Sequence, residues 1–185
     1  MAGERKQQIL ETLAKMLESP KREKITTASL AAKLGVSEAA LYRHFAGKAQ
    51  MFEGLIEFIE QSLFGLINKI TSEEQDGLAQ VHRVITVLLM FAEKNPGMTR
   101  VLIGDALVNE DDRLQVRINQ LFDRLESTLK QSLRIAETQS GRKLEPEAKA
   151  NLVISFVIGK WHQFAKSGFK RKPMEFLQQQ LNLLT

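Results

Sequence analysis

A chain of 185 residues with 43% apolar content, 11 glycines and 4 prolines is long enough to bury a sizeable core, which excludes a disordered polyelectrolyte. The absence of cysteine excludes a disulfide framework and thiolate-bound metal and fits a reducing compartment. The formal net charge of +4 is unevenly placed: residues 1–50 carry nine Lys/Arg against five Asp/Glu, the remainder seventeen of each. The basic surplus that phosphate binding requires therefore lies wholly in the first 50 residues.

MAGERKQQ is polar and runs directly into a helical pattern of Ile9, Leu10, Leu13, Met16 and Leu17, which is no secretory signal. The longest apolar stretches, 84–92 and 152–158, fall far short of a bilayer span, so a soluble cytoplasmic protein is expected. Pro20 closes this first helix. From Ile25 to Phe45, ITTASLAAKLGVSEAALYRHF reads as two short helices about a glycine turn. Leu30, Ala31 and Leu34 give one inward face; Val36 and Leu41 give another, with Phe45 one turn later. Gly35 suits a left-handed exit from the first helix, and Ala31 is small enough for the second to cross close by.

Ser37 stands where an N-cap belongs and Glu38 lies in the positive first turn, which predicts a second helix from Ser37 to about Phe45. With Leu41 and Phe45 turned inward, Glu38, Ala39, Tyr42 and Arg43 face outward. Arginine matches the paired acceptors of guanine, and alanine a thymine methyl. Thr26, Thr27, Tyr42 and Lys48 are placed to hold phosphates. The same residues fit plainer roles: Thr27 a helix cap, His44 a packed imidazole, Glu38 a complement to the helix dipole.

Beyond Lys48, helical spacing recurs in Phe52, Leu55, Ile59 and Leu63, in Val84, Val87, Leu88 and Phe91, and in Leu114, Ile118, Leu121, Phe122, Leu125 and Leu129. Pro96, Pro146 and Pro173 each stand where a new helix can start, and loops are expected near 72–77 and 138–144. The reading is an all-α protein of about eight to ten helices. It divides into a helix-turn-helix domain over 1–49 and a helical dimerisation and partner-binding domain over 50–185. Leu152, Val153, Ile154, Phe156, Val157 and Ile158 leave almost no polar side on their helix, and Gly159 allows close backbone approach beside Trp161 and Phe164. One side suits the protomer and the other an isologous contact with a second copy, joined by a helix over 174–184; the alternative is a monomer's central helix. Glu53, Glu57 and Glu60 read as a solvated face, and Glu110, Asp111 and Asp112 as the acidic first turn of a helix capped by Asn109. His44, His82 and His162 lie far apart, and neither a phosphate-binding glycine loop nor a cysteine nucleophile is present, so no enzyme, cofactor or metal is expected.

The block ITTASLAAKLGVSEAALYRHFAGKAQMF resembles the TetR family of dimeric regulators, whose three-helix N-terminal domain ends in such an LYRHF and lysine pattern. MFEGLIEFIEQSL, NPGMTRVLIGDAL and RLQVRINQLFDRLE are similar to its nucleoid occlusion branch. That resemblance implies a homodimer that binds palindromic sites in double-stranded chromosomal DNA and, when DNA-bound, antagonises polymers of the tubulin-like GTPase FtsZ. It carries DNA contacts to Thr26, Thr27, Ser37, Glu38, Ala39, Ala40, Tyr42, Arg43, His44 and Lys48. It suggests that Phe58, with Lys94 and Asn95, lines a groove for an FtsZ segment, and it supports Leu152, Phe156, Gly159 and Trp161 as the dimer interface. Two departures stand out: a short N-terminal arm with only Arg5 and Lys6 before Gln7, and an unusual segment over 138–146. The alternative within the family is a ligand-released repressor whose effector pocket is lined by Phe91, Trp161 and His162.

Overall fold

Local capping sets where the first helices begin and end in the computed structural model, which describes residues 2–19 and 24–185. After α1 (Ala2–Leu17), Thr26 caps α2 (Thr27–Leu34): its hydroxyl accepts the Ser29 N–H while the Ser29 hydroxyl accepts the Thr26 N–H. Gly35 ends α2 at φ 68°, ψ 34°, the left-handed conformation that glycine adopts without strain. Ser37 caps α3 (Glu38–Tyr42) by accepting from the Ala40 N–H. This helix is shorter than expected, because Arg43 already caps its C-terminus and Phe45 enters the core from a turn. Pro20 lies outside the described residues.

The remaining elements are α4 (Lys48–Glu73), α5 (Gly77–Lys94), α6 (Pro96–Leu102), a 3-10 turn (Asp105–Leu107), α7 (Asp112–Ser140), α8 (Pro146–Lys166) and α9 (Leu177–Leu184). No strand occurs among the described residues, and no helix of them is long and apolar enough to cross a membrane. Pro96 and Pro146 open their helices as expected. Pro173 does not: it precedes a turn, and α9 starts only at Leu177 because Phe176 has left-handed backbone at φ 61°. The polar stretch after Thr138 is the exposed last turn of α7, which Gly141 ends at φ 64°. Asp111, not Asn109, caps α7, accepting from the Arg113 N–H.

The apolar stripe of α7 is buried at Leu114, Ile118, Leu121, Leu125, Leu129 and Leu133, against α5 and α8. The start of α5 meets α7 backbone to backbone, since a Cβ on Gly77 would lie 2.4 Å from the Ser132 carbonyl oxygen. Beside it the buried Ser132 hydroxyl donates to the Gln80 side chain, and Gln80 donates to the Glu74 carbonyl, so both polar groups are satisfied. Trp161 is fully buried and donates its indole N–H to the Leu88 carbonyl at 3.1 Å. It therefore belongs to the protomer's interior and not to a dimer surface, a correction to the expectation from sequence.

Helix α4 links the two halves of the chain. Met51, Phe52, Leu55, Ile56, Ile59 and Leu63 are buried on it, more than one neighbour would cover, and it packs on α1, α5, α6 and α7. Helix α6 docks on α1 through Gly97, whose hypothetical Cβ would fall 2.0 Å from the Ala14 carbonyl oxygen. Arg100 of α6 donates to the Leu17 carbonyl and to Asp105, which also receives Lys166. Burial alone would push the Asp105 carboxyl up, but the hydrogen bonds from Lys166 and Arg100 carry it below the usual carboxylate range. A further ion pair, Arg117 to Glu60, holds α7 on α4, and the Glu60 hydrogen bond raises the guanidinium further above its ordinary value.

Candidate nucleic-acid interface

The N-terminus of α2 and the outer side of α3 are held together by a polar chain. The Thr27 hydroxyl donates to the Glu38 carboxylate at 2.7 Å, and the Tyr42 hydroxyl donates to Thr27 at 3.4 Å. Thr27 is thus a bridge between the two helices, while Thr26 supplies the cap. Glu38 has one oxygen committed to that bridge and presents the other, and Tyr42 is 48% exposed, far more than an aromatic needed for the core. Ala39 is exposed on the same short helix, and Arg43 is exposed at its C-cap. Groups preordered in this way lose less entropy when a ligand engages them.

Ala40 and His44 are only partly exposed, and with Arg43 they border a cleft of about 190 Å³ whose far side is Arg5 of α1. Arg5 and Lys6 are no free arm: both lie in the first turns of α1, where Arg5 donates to Gln8 and Lys6 sits 5.6 Å from the Phe45 ring centroid. Arg5 and Arg43 thus line one cleft beside α3, and both contribute positive charge to it. Lys48, expected on a phosphate, instead pairs with Glu110 at 2.5 Å across the junction between the N-terminal helices and the rest of the chain.

Phe58 is 47% exposed and borders a second cleft, of about 490 Å³, with Leu10, Gln61 and Met98. Lys94 is exposed at the end of α5. Asn95 turns its amide back onto the Phe91 carbonyl at 2.8 Å and so finishes α5 rather than facing outward. On α8, Leu152 is 54% exposed, Phe156 is half-buried, and nothing lies within 4 Å of a Cβ built on Gly159. These three form an open stripe on α8; Leu183 of α9 is exposed as well. Phe91, Trp161 and His162 do not converge: Trp161 is sealed in the core and His162 is exposed.

Two family profiles match the chain: "Bacterial regulatory proteins, tetR family" over residues 22–55, and "Tetracyclin repressor-like, C-terminal domain", of the SlmA-like type, over 75–185. The nucleoid occlusion factor SlmA of Alteromonas mediterranea is 53% identical over 95% of this chain and 91% of its own length. That of Marinomonas sp. is 51% identical over 98% and 93%. The chain belongs to the SlmA family of nucleoid occlusion factors. Its fold extends more widely through TetR-type regulators: PfmR from Thermus thermophilus superimposes with a TM-score of 0.78 at 24% identity, covering 95% of this chain and 96% of that one. FadR from Bacillus halodurans gives 0.78 at 14%, covering 97% and 93%.

As an SlmA-family member the protein binds DNA, dimerises and is not an enzyme. Sequence reasoning missed Arg5 in the cleft that Arg43 borders, Met98 and Leu10 in the cleft at Phe58, and Glu110 on Lys48. All four depend on contacts between elements distant in sequence, which no local periodicity reports.

Proposed function

We propose that this protein sits on palindromic chromosomal sites in the cytoplasm as a homodimer and, from there, antagonises FtsZ assembly over the nucleoid. The observation that carries the DNA-reading part is the Tyr42–Thr27–Glu38 chain, which fixes an exposed polar helix face in a basic three-helix unit. Domains over 1–49 and 50–185 divide the work. Glu38, Ala39, Tyr42 and Arg43 meet base edges and the nearest phosphates, and Thr26, Thr27, Ser37, Ala40, His44 and Lys48 hold register on the backbone. Leu152, Phe156 and Gly159 pair across the two-fold axis. The cleft at Phe58 receives an FtsZ segment, which Lys94, exposed at the end of α5, also meets; Asn95 serves it by ending α5. The DNA-dependent step is tested by sedimenting FtsZ polymers with and without a cognate duplex: polymer loss that needs the duplex is expected, and equal polymer in both would remove the division role.

Arg43→Ala is expected to relax sequence preference at a cost of about 1–3 kcal/mol, whereas Lys48→Ala weakens all duplexes alike and lowers the salt slope by about one. Titrations of cognate and random duplexes over a salt series measure both. Equal loss on the two duplexes for Arg43→Ala takes it out of the base-reading set. Phe58→Ala removes an exposed ring without touching the core, so it should leave DNA binding intact and abolish the effect on FtsZ sedimentation. Undiminished polymer loss with that variant places the partner site elsewhere.

A further inference from the structure

Lys48 is the first residue of α4, just after the link 43–47 that follows α3, yet its ammonium is largely withdrawn from solvent. It lies 2.5 Å from a Glu110 oxygen and 5.8 Å from the Phe52 ring centroid, and the two charged side chains are only 19% and 11% exposed. Glu110 belongs to neither α2, α3 nor α4: it stands on the short connection before α7, where its N–H is held by the Leu107 carbonyl. The pair is therefore a tie between the DNA-reading unit and the larger helical body. Lys48 and Glu110 themselves line a cleft of about 300 Å³, bordered also by Lys24, Ile25, Arg100 and Val108, so open space lies beside the long lysine stem.

We infer that Glu110 is an affinity-setting residue for DNA: it holds Lys48 in the free protein, and a backbone phosphate must take the ammonium from it. This rests on the reading of Lys48 as a phosphate contact given above. A phosphate that captures Lys48 takes from Glu110, only 11% exposed, the cation it is paired with, so part of the attraction is spent breaking the tie. Neutralising Glu110 removes the competitor and leaves the free state with a poorly hydrated ammonium that only DNA satisfies.

The test is a double-mutant cycle on duplex affinity at fixed salt, using the full chain and one cognate duplex. Glu110→Gln, which keeps the size and an acceptor oxygen, should bind about five- to tenfold tighter than wild type, the lower range of coupling between linked sites. Glu110→Asp, a charge on a shorter stem, should fall between the two and covers the case in which the glutamine variant does not fold. Lys48→Ala should bind more weakly, and Lys48→Ala with Glu110→Gln should match Lys48→Ala alone. A purely structural role for Glu110 gives weaker binding instead of tighter, and that result overturns the inference while leaving Lys48 on its phosphate. A gain that survives in the Lys48→Ala background is a general field effect and overturns it as well. Unchanged binding by Lys48→Ala overturns the reading of Lys48 itself, and the inference with it.

Discussion

Replacing Gly97 by alanine is expected to destabilise the protein by about 3 kcal/mol and to lower its melting temperature by about 6–12 °C, the upper end for overpacking a core in a chain of this size. The reason is geometric. A Cβ at this position would stand 2.0 Å from the Ala14 carbonyl oxygen and 3.2 Å from the Leu17 Cβ. The first of these is a backbone atom, so no rotamer change relieves the clash; α6 has to withdraw from α1. Withdrawal also loosens the hydrogen bond from Arg100 to the Leu17 carbonyl, the other direct tie between the two helices. Because α2 and α3 are carried by α1, DNA affinity should fall along with stability. Gly65 supplies the contrast: it lies exposed on α4 with nothing within 4 Å of a Cβ. Alanine there should stabilise by about 0.5–1 kcal/mol through helix propensity alone. Thermal unfolding followed by helical circular dichroism measures both. A Gly97→Ala melt that matches wild type would show that α1 and α6 do not meet backbone to backbone.

What could be read in the chain, and what could not, follows from the range of the interactions involved. Helices α4, α5 and α7 are visible because each buries a stripe at three- and four-residue spacing, and the caps at Ser37, Gly35, Pro96 and Pro146 act within one turn. The start of α9 is hidden because it depends on a left-handed Phe176, a conformation that composition does not announce. The end of α7 is hidden for another reason: Thr138, Gln139 and Ser140 look like a loop, yet they form a solvated final turn in which the Thr138 hydroxyl returns to the Arg134 carbonyl.

The candidate site divides along the same line. The outward face of α3 follows from the inward placing of Leu41, so Glu38, Ala39, Tyr42 and Arg43 are legible. The bond from Thr27 to Glu38 spans eleven residues and the tie from Lys48 to Glu110 spans sixty-two, and both need the tertiary fold to be seen. On α8 the difficulty is phase. A helix apolar on nearly every side does not say which residues look inward, and Trp161 was therefore expected on the outside although its indole N–H has its partner, the Leu88 carbonyl, in the core.

With the phase of α8 settled, Leu152→Asp is expected to turn the dimer into a monomer and to weaken binding to a palindromic duplex by about 100-fold or more, the avidity lost when two linked half-sites become one. Leu152 is 54% exposed in the protomer, so an aspartate there meets water before assembly and costs the single chain little. In the proposed dimer the isologous contact brings the residue and its symmetry mate together out of solvent, where two carboxylates repel each other. Gly159, one turn beyond Phe156, has no side chain to hold the second helix away, which brings the charges closer still. Recognition helices about 34–36 Å apart enter successive major grooves only while that contact holds. A monomer keeps the Tyr42–Thr27–Glu38 chain and still binds a single half-site weakly. Sedimentation velocity gives the mass and titration of whole and half sites gives the affinities. A Leu152→Asp protein that stays dimeric, or that keeps full affinity for the palindrome, would move the two-fold contact off this face of α8.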